Sequence, residues 1–207
     1  MRPAMDDLVL LILCSPSGAG KTTLTRHLLD NLKDFTFSVS HTTRRPRAGE
    51  QDGREYHFVD RVRFQTLIAE GEFAEWAEVH GNLYGTSVRE IERARAEGKR
   101  GIVFDVDYQG ARQIKAKLRD AIGVFVLPPS MDELRRRLEG RGTEDAAAVE
   151  RRFANAWHEI EHYGFFDYLV VNDDLDRAKA AVLGIALAER HRRWRLAPTA
   201  ELLLKAR

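Results

Sequence analysis

The chain has one cysteine and six prolines in 207 residues, and no apolar run long enough to cross a membrane. A single cysteine excludes an internal disulfide and suits a reducing compartment, so a cytoplasmic location is expected. Internal repeats and low-complexity linkers are absent as well. An excess of one charge sign is also missing: 33 basic residues meet 32 acidic ones, for a net charge of +1. That balance gives no bulk attraction to nucleic acid or to a membrane surface, so any basic site must be local. Only seven of the 33 basic residues are lysine. An arginine bias of this kind also follows from genome composition and is weak evidence of phosphate recognition. The N-terminus imitates a signal peptide, but Asp6 and Asp7 stand where positive charge belongs. The run 8–14 reads instead as a first core strand, and the inert burial of Cys14 at its end follows. The length fits one domain carrying insertions.

What the chain does have is Ser15-Pro16-Ser17-Gly18-Ala19-Gly20-Lys21-Thr22, followed by Thr23 and a helical pattern. This fits the phosphate-binding pattern G-x-x-x-x-G-K-[ST] at every fixed position except the first, where Ser15 replaces glycine. Backbone N–H groups and a helix N-terminus in such a turn curl around a polyphosphate. Lys21 reaches the β- and γ-phosphates, and the Thr22 hydroxyl serves Mg²⁺ held chiefly by those phosphates.

From residue 8 onward, short β-type runs alternate with helical stretches, which predicts an α/β fold with a five-stranded parallel sheet. Strands are expected at 8–14, 37–40, 101–106, 122–127 and 168–171. Helices are expected at 21–32, 109–118, 131–139, 146–162 and 175–194. Ligands of such sheets bind outside the strand carboxyl ends, where the Ser15–Thr22 turn, Asp105 and Asp107 fall. Residues 41–99 break the alternation and read as a small mixed insertion with strands near 56–59, 73–79 and 83–86. Residues 1–40, 100–130 and 165–207 are then the core. The stretch 131–164 reads as a lid region, because a charged, glycine-punctuated turn joins its two helices.

Several residues suit phosphate chemistry. Ser40-His41-Thr42-Thr43-Arg44-Arg45-Pro46-Arg47 concentrates cations and hydroxyls after a strand, although a solvated loop has the same composition. Arg141 and Arg152 bracket the lid turn, where they can meet charge developing on a transferred phosphoryl group. Asp105 and Asp107 follow an apolar strand. Either could organise Mg²⁺ and its waters, and Asp107 equally fits a helix cap. Glu75 is the sole acid between Phe73 and Trp76. It could pair with the donor edge of a base, while the strand pattern alone suggests an outward-facing side chain. His158-Glu159-Ile160-Glu161-His162 matches the zinc-protease pattern H-E-x-x-H, but no third ligand has a recognisable spacing, so a chance match is expected.

Taken together, these motifs resemble the guanylate kinases of bacterial type along nearly the whole chain. The resemblance rests on the Ser15–Thr22 turn, on Ser40 through Glu50, and on Asp52-Gly53-Arg54-Glu55-Tyr56-His57-Phe58. It continues through Glu75-Trp76, Gly81-Asn82-Leu83-Tyr84-Gly85-Thr86, Asp105-Val106-Asp107-Tyr108-Gln109-Gly110, Pro128-Pro129-Ser130, Leu138-Glu139-Gly140-Arg141-Gly142 and Val171-Asn172-Asp173-Asp174. It implies transfer of the ATP γ-phosphoryl group to GMP, with dGMP a second acceptor, giving ADP and GDP in purine nucleotide metabolism. By the family pattern Arg44, Arg47, Tyr56 and Tyr84 hold the GMP phosphate, while Ser40, Glu75 and Thr86 read guanine, assisted by Asp105 or Asp107 through water or Mg²⁺. Residues 15–23 hold the ATP phosphates, and Asn172 and Asp173 lie near the adenine. Lys21, Arg47, Arg141 and Arg152 act on the transferring group. Rival readings are a related kinase for a phosphorylated sugar, a non-catalytic binding module on the same fold, and a metal hydrolase built on His158 and His162. Nothing in the sequence chooses between a monomer and a homo-oligomer.

Overall fold

The computed structural model describes residues 8–79, 81–140 and 146–206. Its elements run β1 (Val9–Cys14), α1 (Lys21–Asn31), β2 (Phe35–Phe37), β3 (His41–Thr42), β4 (His57–Phe58), α2 (Arg61–Ala69), β5 (Phe73–Val79) and β6 (Asn82–Ser87). They continue through α3 (Arg89–Ala96), β7 (Gly101–Asp105), α4 (Tyr108–Lys117), β8 (Ile122–Leu127), α5 (Met131–Glu139), α6 (Ala146–Glu161), β9 (Tyr168–Val171), α7 (Leu175–Arg190) and α8 (Arg193–Lys205).

The parallel sheet has five strands in the order β2-β7-β1-β8-β9, with β1 at its centre. Every residue of β1 is buried because helices cover both faces. Val9, Leu11 and Leu13 pack with Leu24 and Leu28 of α1 and Val182 of α7. Leu10 and Ile12 point the other way, toward Ile91 of α3 and Ile114 of α4. Each fully buried leucine contributes about 1.5–3 kcal/mol, so this strand alone anchors the two layers. Cys14 is buried at its end, and burial pushes its thiol pKa to about 12, so it stays protonated and inert.

A second sheet, ordered β4-β3-β6-β5, lies in the insertion. Strands β5 and β6 form an antiparallel pair, and β3 runs antiparallel to β6 but parallel to β4. Helix α2 closes this sheet by placing Phe64 and Leu67 against Phe73 and Leu83.

The structure departs from the sequence expectations at several places. Strand β2 occupies 35–37 rather than 37–40, because Phe35 to Phe37 pair with Gly101 to Val103 while residues 38–40 leave for the second sheet. Helices α2 and α3 supply the helical part of the mixed α/β insertion, for which the sequence had given strand bounds only. Helix α7 stops at Arg190 rather than running on to 194. Arg192 takes an extended backbone there (φ −53°, ψ 132°), and its guanidinium folds back onto buried Glu189 at 2.8 Å. The tail then forms α8, pinned by buried Arg195 donating to the Leu8 carbonyl at 2.9 Å. Among the described residues, no helix is long and apolar enough to cross a membrane.

Candidate active site

Strand β1 delivers the chain into the 15–22 turn, and Lys21 opens α1. Gly20 sits at φ 104°, a conformation that disfavours side chains, and a Cβ there would come within 2.3 Å of Asn172 Nδ2. Asn172 approaches because its Nδ2 donates to the Ala19 carbonyl at 2.7 Å. The Ser15 hydroxyl donates to the Pro16 carbonyl at 2.9 Å, so the serine in the first glycine position folds onto its own loop. The turn lines a cavity of about 280 Å³ together with Thr23, Asp107 and Glu159. Ala19 belongs to the turn but is fully buried beneath it.

Lys21 contacts Asp105 at 2.6 Å and donates to the Val106 carbonyl at 3.1 Å. Burial opposes its charge, and the Asp105 carboxylate more than offsets that, so its pKa lies above the ordinary value. Asp107 answers the question left open by the sequence: it caps α4, its Oδ1 accepting the Gly110 N–H at 2.8 Å, and it also faces the cavity.

Against the first turn of α4 lies a second polar cluster. Glu75 is only 6% exposed, contrary to the outward orientation that strand alternation suggests. The cause is a register shift between Phe73 and Glu75 that leaves three consecutive residues of β5 buried. Glu75 Oε1 accepts the Thr86 hydroxyl at 2.7 Å, and Thr86 Oγ1 lies 3.3 Å from Ser40 Oγ. A Cβ on Gly110 would stand 3.1 Å from Glu75 Oε2, so a larger residue there would press the carboxylate back by a few tenths of an ångström. Burial raises the Glu75 pKa to about 7, against the Thr86 hydrogen bond, which lowers it.

Beside this cluster, Arg44 pairs with Glu50 at 2.8 Å and its guanidinium stands 5.4 Å from the Tyr56 ring centroid. Tyr56 meets Tyr84 edge-on at 5.9 Å. The Arg47 N–H donates to Glu50 Oε2 at 2.7 Å, which closes the loop and leaves Arg47 exposed. The sequence-predicted Arg44, Tyr56 and Tyr84 are thus gathered together.

Other predicted positions stand differently. Asn172 is buried against the phosphate-binding turn, while Asp173 pairs with Arg177 at 3.0 Å on the surface. Arg152 lies on α6, and Arg141 is outside the described residues. His158 and His162 do not form a zinc site. Tyr108 makes a 3.0 Å hydrogen bond with His158 Nε2 and stacks on His162 at 4.0 Å. Among the described residues, no three His, Cys, Asp or Glu side chains cluster to hold a metal ion. Sequence reasoning missed Glu159 as a wall of the phosphate cavity. Its one signal was that it shares a helical stripe with Arg152, seven residues earlier.

Comparison with known proteins agrees with this geometry. A family model described as guanylate kinase matches residues 8–187. A guanylate kinase of Dechloromonas aromatica is 53% identical over 169 residues, covering 82% of this chain and 83% of that protein. One from Alkalilimnicola ehrlichii is 48% identical over 189 residues, covering 91% and 93%. Among solved structures, guanylate kinase from Anaplasma phagocytophilum superposes with a TM-score of 0.72 at 36% identity, covering 91% of this chain and 89% of that one. With a family model spanning most of its length and relatives sharing about half of its residues, this chain belongs to the guanylate kinase family.

Proposed function

We propose that this protein transfers the γ-phosphoryl group of ATP to GMP, and also to dGMP, forming ADP and GDP or dGDP. The observation that carries the reading is the Glu75–Thr86–Ser40 cluster, with Glu75 and Thr86 buried, together with a phosphate-binding turn whose lysine is intact. A carboxylate accepts two hydrogen bonds from the N1–H and amino edge of guanine, whereas adenine presents a lone pair at N1 and is repelled.

In the mechanism we assign, the N–H groups of residues 15–22 and Thr23 cradle the ATP phosphates, with Asn172 and Asp173 on the adenine side. Asn172 acts by bracing Ala19 and Gly20. Arg44, Arg47, Tyr56 and Tyr84 grip the GMP phosphate. Lys21 exchanges its Asp105 contact for the phosphates as they arrive. A GMP phosphate oxygen then bonds to the γ-phosphorus while the bond to the β–γ bridging oxygen breaks, a transfer that needs positioning and cations more than covalent help. Arg47, Arg141 and Arg152 meet the charge on the moving group. Asp105 and Asp107 can hold waters around a divalent ion.

Hard oxygen donors at Thr22, Asp105 and Asp107, gathered beside a phosphate cradle, suit Mg²⁺ rather than a softer metal. Held by these residues, a Mg²⁺ ion would supply positive charge against the ATP phosphates. In domain terms, residues 41–99 form the GMP-binding part and 131–164 the lid, and the protein works in the cytoplasm. The test is GMP-dependent formation of ADP from ATP and Mg²⁺. Protein that binds both nucleotides yet forms no ADP would mark a binding module instead.

A further inference from the structure

The α6 segment His158-Glu159-Ile160-Glu161-His162 has no part in the mechanism above, yet it sends one carboxylate into the phosphate cavity. Glu159 lines the cavity beside Ser17, whose N–H favours the charged carboxylate, while Glu159 Oε2 is buried and has no hydrogen-bond partner. An acid is an odd neighbour for a turn whose N–H groups and lysine select anions. Structural need does not explain it, because docking of α6 rests on other groups. Tyr108, directly after the capping Asp107, bonds His158 and stacks on His162, so the two histidines clasp one ring from either side of Glu159. Farther along α6, Val149 and Ala156 pack on Leu134 and Leu138 of α5. The clasp holds the helix, and it also aims Glu159 at Ser17.

We propose that the Glu159 carboxylate competes with the ATP polyphosphate for the N–H donors of the 15–22 turn, so that nucleotide binding displaces it and shifts α6. The polyphosphate and the carboxylate would share one cavity, and two anions in a partly buried cavity repel. Arg152 sits two helical turns before Glu159 on the same stripe of α6, so a displacement at Glu159 moves the arginine as well. Glu159 is therefore a positioning residue: it couples occupancy of the ATP site to the placement of a lid cation. The inference rests on the ATP site of the proposed function.

The test is calorimetric titration of ATP, and separately of GMP, into wild type, Glu159→Gln and Glu159→Asp, with hydrogen exchange of residues 146–161 recorded before and after ATP. Removing the competing charge should tighten ATP binding about three- to tenfold, as expected for one partly screened like charge, and leave GMP binding unchanged. Aspartate, one methylene shorter, should fall between. ATP should alter exchange in α6 of the wild type and alter it less in Glu159→Gln. ATP binding that is equal or weaker in the variants overturns the proposal, whichever of the two folds well enough to be measured. Wild type that binds ATP but does not phosphorylate GMP would sink the functional reading instead, so the two failures are distinguishable.

Discussion

A carboxylate buried beside Thr86 is costly to ionise, and guanine needs it ionised. Because the folded-state pKa of Glu75 is raised from 4.5 to about 7, the folded protein holds more protons than the unfolded chain between those values. The stability it contributes is full below pH 4.5 and is lost as pH rises through 7. His41 works the other way. Burial, reinforced by the neighbouring His57, lowers its pKa from 6.5 to about 4, so the stability it contributes is lost as pH falls through that window. The two slopes oppose each other between pH 4.5 and 6.5. Glu75→Gln should raise the melting temperature of the ligand-free protein at pH 8, by up to about 3 kcal/mol in stability. It should also make melting more acid-sensitive than in the wild type below pH 6.5. Its kcat/KM for GMP should fall about 10⁴-fold while ATP binding holds, the loss expected when a buried polar reader is mismatched. Melting curves from pH 4.5 to 8 and steady-state kinetics check both halves. Equal losses for ATP and GMP would remove Glu75 from the base site.

At the scale of elements, two local irregularities build the proposed acceptor site. The bulge in β5 turns Glu75 inward, and Gly110 in the first turn of α4 makes room for it. Gly110→Ala should raise the KM for GMP about tenfold or more, since a small misplacement at a recognition group is expensive, and leave the KM for ATP unchanged. Equal effects on both substrates would mean that α4 as a whole had moved. A purely structural counterpart lies at the end of α7, where Glu189 accepts the Tyr168 hydroxyl at 2.5 Å and the Arg192 guanidinium. Glu189→Ala should cost about 1–3 kcal/mol of stability, seen as a lower denaturation midpoint, with kinetics unaltered. These examples also mark what was legible in the sequence. β8 and β9 match their expected bounds because both are apolar runs ended by turn residues, and the 15–22 turn carries its own chemistry. The stop at Arg190, the burial of Glu75 and the entry of Glu159 into the cavity were not legible. Each depends on a partner far along the chain: Tyr168 for Glu189, Thr86 for Glu75 and Ser17 for Glu159.

In the whole molecule, the parallel sheet serves as a frame that brings two anionic substrates face to face. Strands β1 and β7 end side by side, paired at Leu13 and Asp105, so the phosphate turn and the acids after β7 meet without any long connection. The second sheet brings Ser40, Glu75 and Thr86 to the first turn of α4, where Glu75 approaches Gly110. In the proposed mechanism, repulsion between the two phosphate groups is met by Lys21, Arg44, Arg47 and Arg152 in a chain whose overall charge is close to zero. Such a design demands an acceptor that satisfies the buried carboxylate and the outer cations at once. The most direct measurement is kcat/KM for ATP-dependent phosphorylation of GMP, dGMP, AMP, CMP, UMP and a phosphorylated ribose, compared side by side. Turnover confined to GMP and dGMP, with AMP slower by about 10⁴-fold or more, is the predicted result. Comparable turnover of AMP, or transfer to the sugar phosphate, would contradict it.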